Sequence, residues 1–172
     1  MSNVRAHQML QFRRLDPSNA KDLAAWTSTF RGTPSYVFAT EGRVPTDEEI
    51  EKMMNTMPDG YTADDMFIYD LSNDNDPCGC VFMARGYPKP DSAYLLLLLI
   101  VESAQGKSIG RAVLRRLETM AASWGCTSIE AVVDSSNERA LNFWLREGFV
   151  EKRRAQVPGM IGQAIVIVKN AP

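Results

Sequence analysis

Histidine is almost absent from this 172-residue chain and cysteine is scarce, with one of the former and three of the latter. The single His7 lies in a polar N-terminal stretch, so there is no imidazole cluster of the kind that most zinc sites and many nucleophilic triads require. Cys78 and Cys80 have no second cysteine or histidine pair to complete a zinc site, and Cys126 leaves an odd set. All three read as small apolar fillers, with metal binding the lesser reading, and no metal is expected. Neither charge dominates. Nineteen Lys and Arg against twenty-one Asp and Glu leave a formal charge of -2, which supplies no positive field to hold phosphate backbones or anionic lipid, so nucleic acid and membrane are not expected partners. A long apolar run is also missing. The longest, Leu95 to Val101, is too short to cross a bilayer, and Met1 to Gln11 is polar rather than an apolar secretion segment. These absences point to a soluble cytoplasmic protein.

What is present is enough to build a core. With hydrophobic types at 45%, a chain of this length has about the size of one domain, so residues 1–172 are expected to form a single unit with 1–7 as a flexible leader. Met9 to Leu15 has the character of a strand, and Asp16, Pro17, Ser18 and Asn19 punctuate it before an amphipathic helix over Ala20 to Phe30. Gly32, Thr33 and Pro34 close that helix, and Ser35 to Pro45 is expected as a loop carrying Tyr36 and Phe38. Thr46 with Glu49 three residues on is a capping-box signal for a second helix reaching about Asn55. Beyond the break at Pro58, Asp59 and Gly60, Met66 to Leu71 and Cys80 to Arg85 read as strands joined by a hairpin across Ser72 to Pro77.

Tyr94 to Val101 is nearly all apolar, the pattern of a central strand covered on both faces. Ile109, Val113, Leu117, Met120 and Trp124 recur every three or four positions with charged residues between them, which predicts a helix from Ser108 to Trp124. A strand over Ile129 to Val133, a helix over Asn137 to Arg146, and strands over Phe149 to Arg153 and Gln163 to Val168 complete the chain. Strand and helix alternate from Tyr94 to Arg153 while the earlier hairpin is antiparallel, so a mixed α/β sheet is expected.

The segment Gln105, Gly106, Lys107, Ser108, Ile109, Gly110, Arg111 joins the apolar strand to the longest helix. Free N–H groups and the positive end of a helix at such a junction bind phosphate. An ordinary helix start explains these residues equally well, and the spacing is neither a dinucleotide fingerprint nor a P-loop. Paired with Asn137, Ala140, Phe143, Trp144, Gly148 and Phe149 around the next helix, however, the segment resembles the GNAT superfamily of acyl-coenzyme A dependent N-acyltransferases. That family's pyrophosphate loop is Gln or Arg, two residues, Gly, one residue, then Gly or Ala. Gln105 and Gly110 match it, and Ser108 stands at the first glycine position.

The resemblance implies a mixed, mostly antiparallel central sheet of six to seven strands flanked by about four helices. It also implies transfer of an acetyl group from acetyl-coenzyme A, as cosubstrate, directly to a primary amine. N–H groups from Gln105 to Arg111 would cradle the pyrophosphate. The pantetheine arm would run between splayed strands Tyr94 to Val101 and Ile129 to Val133, lined by Leu99, Ile100 and Val101. Asn137 has two open roles, helix cap and contact to that arm. Ala140 would leave room for it and Phe143 would pack beneath. The Cβ of Ser108 is expected to narrow the loop, although its hydroxyl can donate to phosphate.

Attack of an amine on a thioester needs aligned reactants and an N–H donor to the developing oxyanion, for which the resemblance points to backbone near Leu98 to Val101. A proton must also leave the ammonium and another must reach sulfur. Many family members carry a tyrosine after the position of Phe143 as the acid. Here Trp144 stands there, and indole has no acid role. Water, Ser135 or Tyr94 could substitute, or the thiolate, with an ordinary pKa near 8.5, leaves unaided; Trp144 then serves as packing. Glu102 and Asp134, each at a strand end, are the candidate bases, with solvated carboxylates the plainer reading. Between Glu41 and Asp76 eleven carboxylates stand against only Arg43 and Lys52, which favours a cationic small-molecule acceptor if that stretch borders the acetyl group. Tyr36, Phe38, Tyr61 and Tyr94 are the candidate acceptor contacts. A coenzyme-binding sensor, transfer to a peptide or protein amine, and a purely structural domain are the competing readings, and a homodimer is an open arrangement.

Overall fold

A computed structural model describes residues 9–36 and 42–171. The expected leader and Phe38 lie outside them. Strands β1 (Leu10–Arg14), β2 (Met66–Asn73), β3 (Asp76–Arg85), β4 (Ser92–Ile100), β5 (Ser128–Asp134), β6 (Val150–Ala155) and β7 (Ala164–Asn170) form one sheet in the order β1-β2-β3-β4-β5-β7-β6. Every neighbouring pair is antiparallel except β4 and β5. Helices α1 (Ala20–Arg31) and α2 (Asp47–Met53) precede the hairpin, α3 (Ile109–Ser123) crosses from β4 to β5, and α4 (Glu138–Arg146) follows β5.

Local chemistry sets most of the boundaries. The Asn19 side chain accepts from the Lys21 and Asp22 N–H groups and so starts α1. At α2 both halves of the capping box are made, since the Glu49 carboxylate accepts the Thr46 N–H at 2.8 Å and Thr46 Oγ1 accepts the Glu49 N–H at 3.3 Å. The β2–β3 hairpin turns on Asp74 and Asn75, with φ of 52° and 70°, the left-handed pair that a two-residue turn matched to strand twist demands. This tight turn makes both strands longer than the polar Ser72 to Pro77 stretch suggested. A second difference lies at Pro34 to Tyr36, which is helical rather than loop. Proline suits a first helical position, and the Glu102 carboxylate accepts the Ser35 N–H at 2.9 Å, supplying the cap from outside the segment.

Two apolar clusters sandwich the sheet. On one face Trp26, Phe30, Ile50 and Met54 pack against Ile68, Phe82 and Leu99, and the Trp26 indole N–H donates to the Ile50 carbonyl at 2.9 Å, fastening α1 to α2. On the other, Val113, Leu114, Leu117 and Trp144 from α3 and α4 pack against Val81, Leu95, Ile129 and Ile167. Cys78 and Cys80 are buried on opposite faces, where burial pushes the Cys78 thiol up to about 11. Among the described residues no helix is long and apolar enough to cross a membrane, and no group of His, Cys, Asp and Glu is arranged to hold a metal ion.

Candidate active site

The sheet opens at its parallel junction, between β4 and β5. Pairing of β4 with β5 covers Ser92 to Leu95 against Ser128 to Ala131 and stops, although β4 runs on to Ile100 and β5 to Asp134. Beyond Ala131, β5 stays paired only with β7. In the β3–β4 register Phe82 faces Leu97 and Met83 faces Leu95, so Leu96 is an extra, bulged residue. The bulge changes the phase of the leucine run: Leu96 and Leu97 both pack toward α1 and α2, while Leu95 and Leu98 pack toward α3. Leu96, Leu97, Leu98 and Ile100 are only half-buried, which corrects the expectation of a strand covered throughout. The missing neighbour leaves them facing a gap with unpaired backbone along both walls.

The loop that leaves β4 ends beside this gap. A 3-10 turn over Glu102–Ala104 is followed by Gln105, whose side-chain amide donates to the Ile100 carbonyl at 2.8 Å, then by Gly106 at φ 75° and Ser108 at φ 62°. None of the N–H groups from Gly106 to Arg111 finds an acceptor among the described residues, and Ser108 makes no side-chain cap to α3. A Cβ on Gly106 would meet nothing within 4 Å. The result is an exposed row of donors at the positive end of a fifteen-residue helix, a cradle that fits a diphosphate. Lys107 is exposed beside it. The Arg111 side chain is turned away and holds Glu147 through two bonds of 3.0 and 3.1 Å, so only its backbone faces the cradle.

Helix α4 closes the groove from below. Asn137 caps it, accepting the Ala140 N–H at 3.2 Å, and its amide nitrogen, a donor, has no acceptor among the described residues. Ala140 and Phe143 are partly buried against the core. A Cβ added to Gly110 would lie 3.4 Å from two Phe143 ring carbons and 3.9 Å from Ile100 Cγ1. Gly110 thus permits close contact of α3 with α4 as well as an open cradle. Trp144, 8% exposed, stands between Phe143 and Phe149 in edge-to-face contacts at 5.1 and 4.9 Å, the geometry of a packing residue.

The candidate acids and bases are held very differently. Glu102 is exposed, and its carboxylate accepts both the hydroxyl and the N–H of Ser35, the first and second causes that hold it below the usual carboxylate range. It ties the loop to the helical residues Pro34 to Tyr36 that follow α1. Burial pushes the Tyr94 hydroxyl up to about 12, which keeps it protonated near neutral pH. Tyr94 meets Tyr87 edge-to-face at 5.1 Å, and Tyr87 meets Tyr61 at 5.4 Å; Tyr87, which joins two expected acceptor residues, carries no local signal in the sequence. Tyr36 packs against the α1–α2 cluster. Asp134 is buried at the tip of β5, where its Oδ1 accepts the N–H and hydroxyl of Ser136 and the Gly162 N–H. Ser135 Oγ accepts the Gln163 N–H at 2.8 Å.

The acidic stretch does not act as one face. Asp47 pairs with Arg31, Glu48 with Lys52, Glu49 with Arg43, Asp65 with Arg85 and Asp70 with Arg13, so five of the eleven carboxylates have cationic partners, three of them from outside the stretch. Two surface cavities lie away from the groove, one of about 490 Å³ between α1 and α2 and one of about 420 Å³ around Ser92, Ser128 and Glu130.

The model of the acetyltransferase (GNAT) family matches residues 23–149. Among solved structures the chain is similar to an acetyltransferase from Thermus thermophilus, with a TM-score of 0.74 and 28% identity over 94% of this chain and 97% of that one. It is similar in fold to an aminoglycoside acetyltransferase in complex with coenzyme A (TM-score 0.70, 18% identity, 94% and 95% covered). The ribosomal-protein-S18-alanine N-acetyltransferase from Escherichia coli is likewise similar in fold (TM-score 0.68, 15% identity, 95% and 94% covered). Comparison with curated protein sequences gives no match.

Proposed function

The chain belongs to the acetyltransferase (GNAT) family and is an acetyl-coenzyme A dependent N-acetyltransferase; from this premise we propose that it transfers the acetyl group directly to a primary amine on a small cationic molecule. One observation carries the reading. The gap between β4 and β5 opens next to a row of N–H groups, Gly106 to Arg111, that have no acceptor among the described residues.

Acetyl-coenzyme A supplies an acetyl group activated as a thioester. The loop amides hold its diphosphate at the end of α3, and Leu98 to Val101 with Val132 and Val133 flank the arm. Asn137 donates to the arm from the start of α4. The free backbone of β4 beyond Leu95 presents N–H groups whose direction is set by the β3 pairing, and such fixed dipoles stabilise a developing oxyanion without reorganising. The gap holds the thioester in reach of an amine that enters from the α1–α2 side, where Tyr36, Tyr61 and Tyr94 offer aromatic surface. The cationic class is supported by the net charge of -2.

Release of free thiol from acetyl-coenzyme A, measured over a panel of primary amines with the product mass determined, tests this. Amine-dependent release with a singly acetylated small cation is the expected result. Saturable coenzyme binding without amine-dependent release would identify a sensor, and transfer confined to peptide amines would replace the small-molecule acceptor.

A further inference from the structure

We infer that the acceptor carries a second ammonium group, which Glu130 holds in the polar cavity beside the closed end of the gap. The inference rests on the transfer reading above and narrows its acceptor to a molecule with two or more amines. Glu130 stands on β5, an inner strand, and is 5% exposed. Its Oε1 accepts from Lys152 Nζ at 2.6 Å. Oε2 makes no hydrogen bond among the described residues and is not sealed in protein, because Glu130 lines the cavity of about 420 Å³ with Ser92, Thr127 and Ser128. The ion pair does not account for the carboxylate. Lys152 lies on the edge strand β6 with 42% of its side chain exposed, whereas the Glu130 side chain keeps 7%, and a buried charge set against an exposed one adds little stability for the hydration it gives up. As packing, an apolar residue would suit the position better.

The cavity lies on the acceptor's side of the sheet. Ala93, Leu95, Ile129 and Ala131 pack toward α3, so alternation turns Ser92, Tyr94, Ser128 and Glu130 the other way, toward the side from which the acceptor enters. Tyr94 and Glu130 are register partners, one step before the last β4–β5 pair, Leu95 with Ala131. Glu130 therefore stands about 3.3 Å along the strand from the closed end of the gap. The diphosphate cradle follows the other end of β4, and Leu95 to Val101 spans roughly 20 Å. An arm that enters from the cradle brings its thioester toward Leu95 and Ala131, and with it the amine under attack. Beyond that amine the edge-to-face row of Tyr61, Tyr87 and Tyr94 offers ring surface to a hydrocarbon spacer, and Glu130, beside Tyr94, ends the row.

The chemistry selects an ammonium. Lys152 already places one on this carboxylate and leaves Oε2 open to another. The Ser92 and Ser128 hydroxyls, 3.2 Å apart, have lone pairs for the remaining N–H bonds. Lys89 and Lys152 also line the cavity, against Asp91 and Glu130, and Arg153 acts on the Tyr94 hydroxyl. Excess negative charge therefore does not draw the ligand in. Recognition lies in acceptor oxygens clustered at one spot, where Lys152 competes with the incoming group.

Thiol release with a series of α,ω-diamines, set against amino alcohols of equal length, tests the inference. A charge-assisted bond to the far ammonium should raise kcat/KM for the best diamine about tenfold or more above its amino alcohol, chiefly through KM. In Glu130→Gln, which keeps the shape and removes the charge, the ratio should fall to about twofold or less, the statistical advantage of two equivalent amines. No preference in wild type at any length, or a preference that survives Glu130→Gln, would overturn the inference. Should Glu130→Gln fail to fold, Lys152→Met decides: loss of the competing ammonium should raise the diamine preference, and an unchanged or lower one would overturn the assignment. A wild-type protein that releases no thiol across the wider amine panel would overturn the transfer reading itself, and this inference with it.

Discussion

Ser108→Gly isolates the strain at the phosphate loop. Ser108 holds φ 62° and ψ 10°, a left-handed conformation, at the start of α3 and gains no capping bond there. That conformation costs a residue with a Cβ roughly 1–2 kcal/mol, while the added freedom of glycine in the unfolded chain takes back about 0.4–1 kcal/mol. The net gain is about 0–1.6 kcal/mol, which for a protein of this size raises Tm by up to about 6 °C. Thermal unfolding followed by circular dichroism, with and without coenzyme A, reads both consequences. The backbone is already in the glycine conformation, so the rise in Tm caused by coenzyme should match wild type. Ser108→Val is the opposite control, because a β-branched residue fits the left-handed region worst, and it should lower Tm clearly. A Ser108→Gly protein that melts lower than wild type, or a Ser108→Val protein that melts with it, would refute this account of the loop.

Gly110→Val should cost about 1–3 kcal/mol, because the new side chain is driven into Phe143, 3.4 Å from the first added carbon. Lower Tm and weaker coenzyme binding should appear together in melting and calorimetry, and an unchanged Tm would contradict the packing role. Glu49 provides a pH test. Arg43, then the Thr46 N–H, hold its carboxyl down to about 2, below an unfolded value near 4.3. A depressed folded pKa means that the contribution is complete above about 4.3 and disappears as pH falls toward about 2. The Tm gap between wild type and Glu49→Gln should therefore be present at neutral pH and close across that window; a gap of constant size would count against the pairing.

Where a signal is local, the residues disclose the structure. The Thr46–Glu49 box placed α2, and the spacing from Ile109 to Trp124 placed α3 within a residue at each end. The glycine position occupied by Ser108 was visible as a departure, and its positive φ supplies the physical reason a glycine suits it. Five consecutive leucines announce a strand but carry no phase, since every residue is apolar; the bulge at Leu96 and the short β4–β5 pairing are set by β3 and β5 rather than by the run itself. The contacts that define the site are also distant in sequence. Glu102 reaches Ser35 across 67 residues, Arg111 reaches Glu147 across 36, and Asp134 reaches Gly162 across 28, and no periodicity reports such pairings. Composition at the acidic stretch is silent on pairing for the same reason, because Arg13, Arg31 and Arg85 come from other elements.

A crystal structure with coenzyme A bound measures the central claim directly. The diphosphate oxygens are expected within hydrogen-bond distance of backbone N–H groups between Gly106 and Arg111, with the pantetheine arm lying between β4 and β5 beyond Leu95 and Ala131. A diphosphate bound elsewhere, or a gap closed by side chains while the coenzyme sits outside it, would contradict the account.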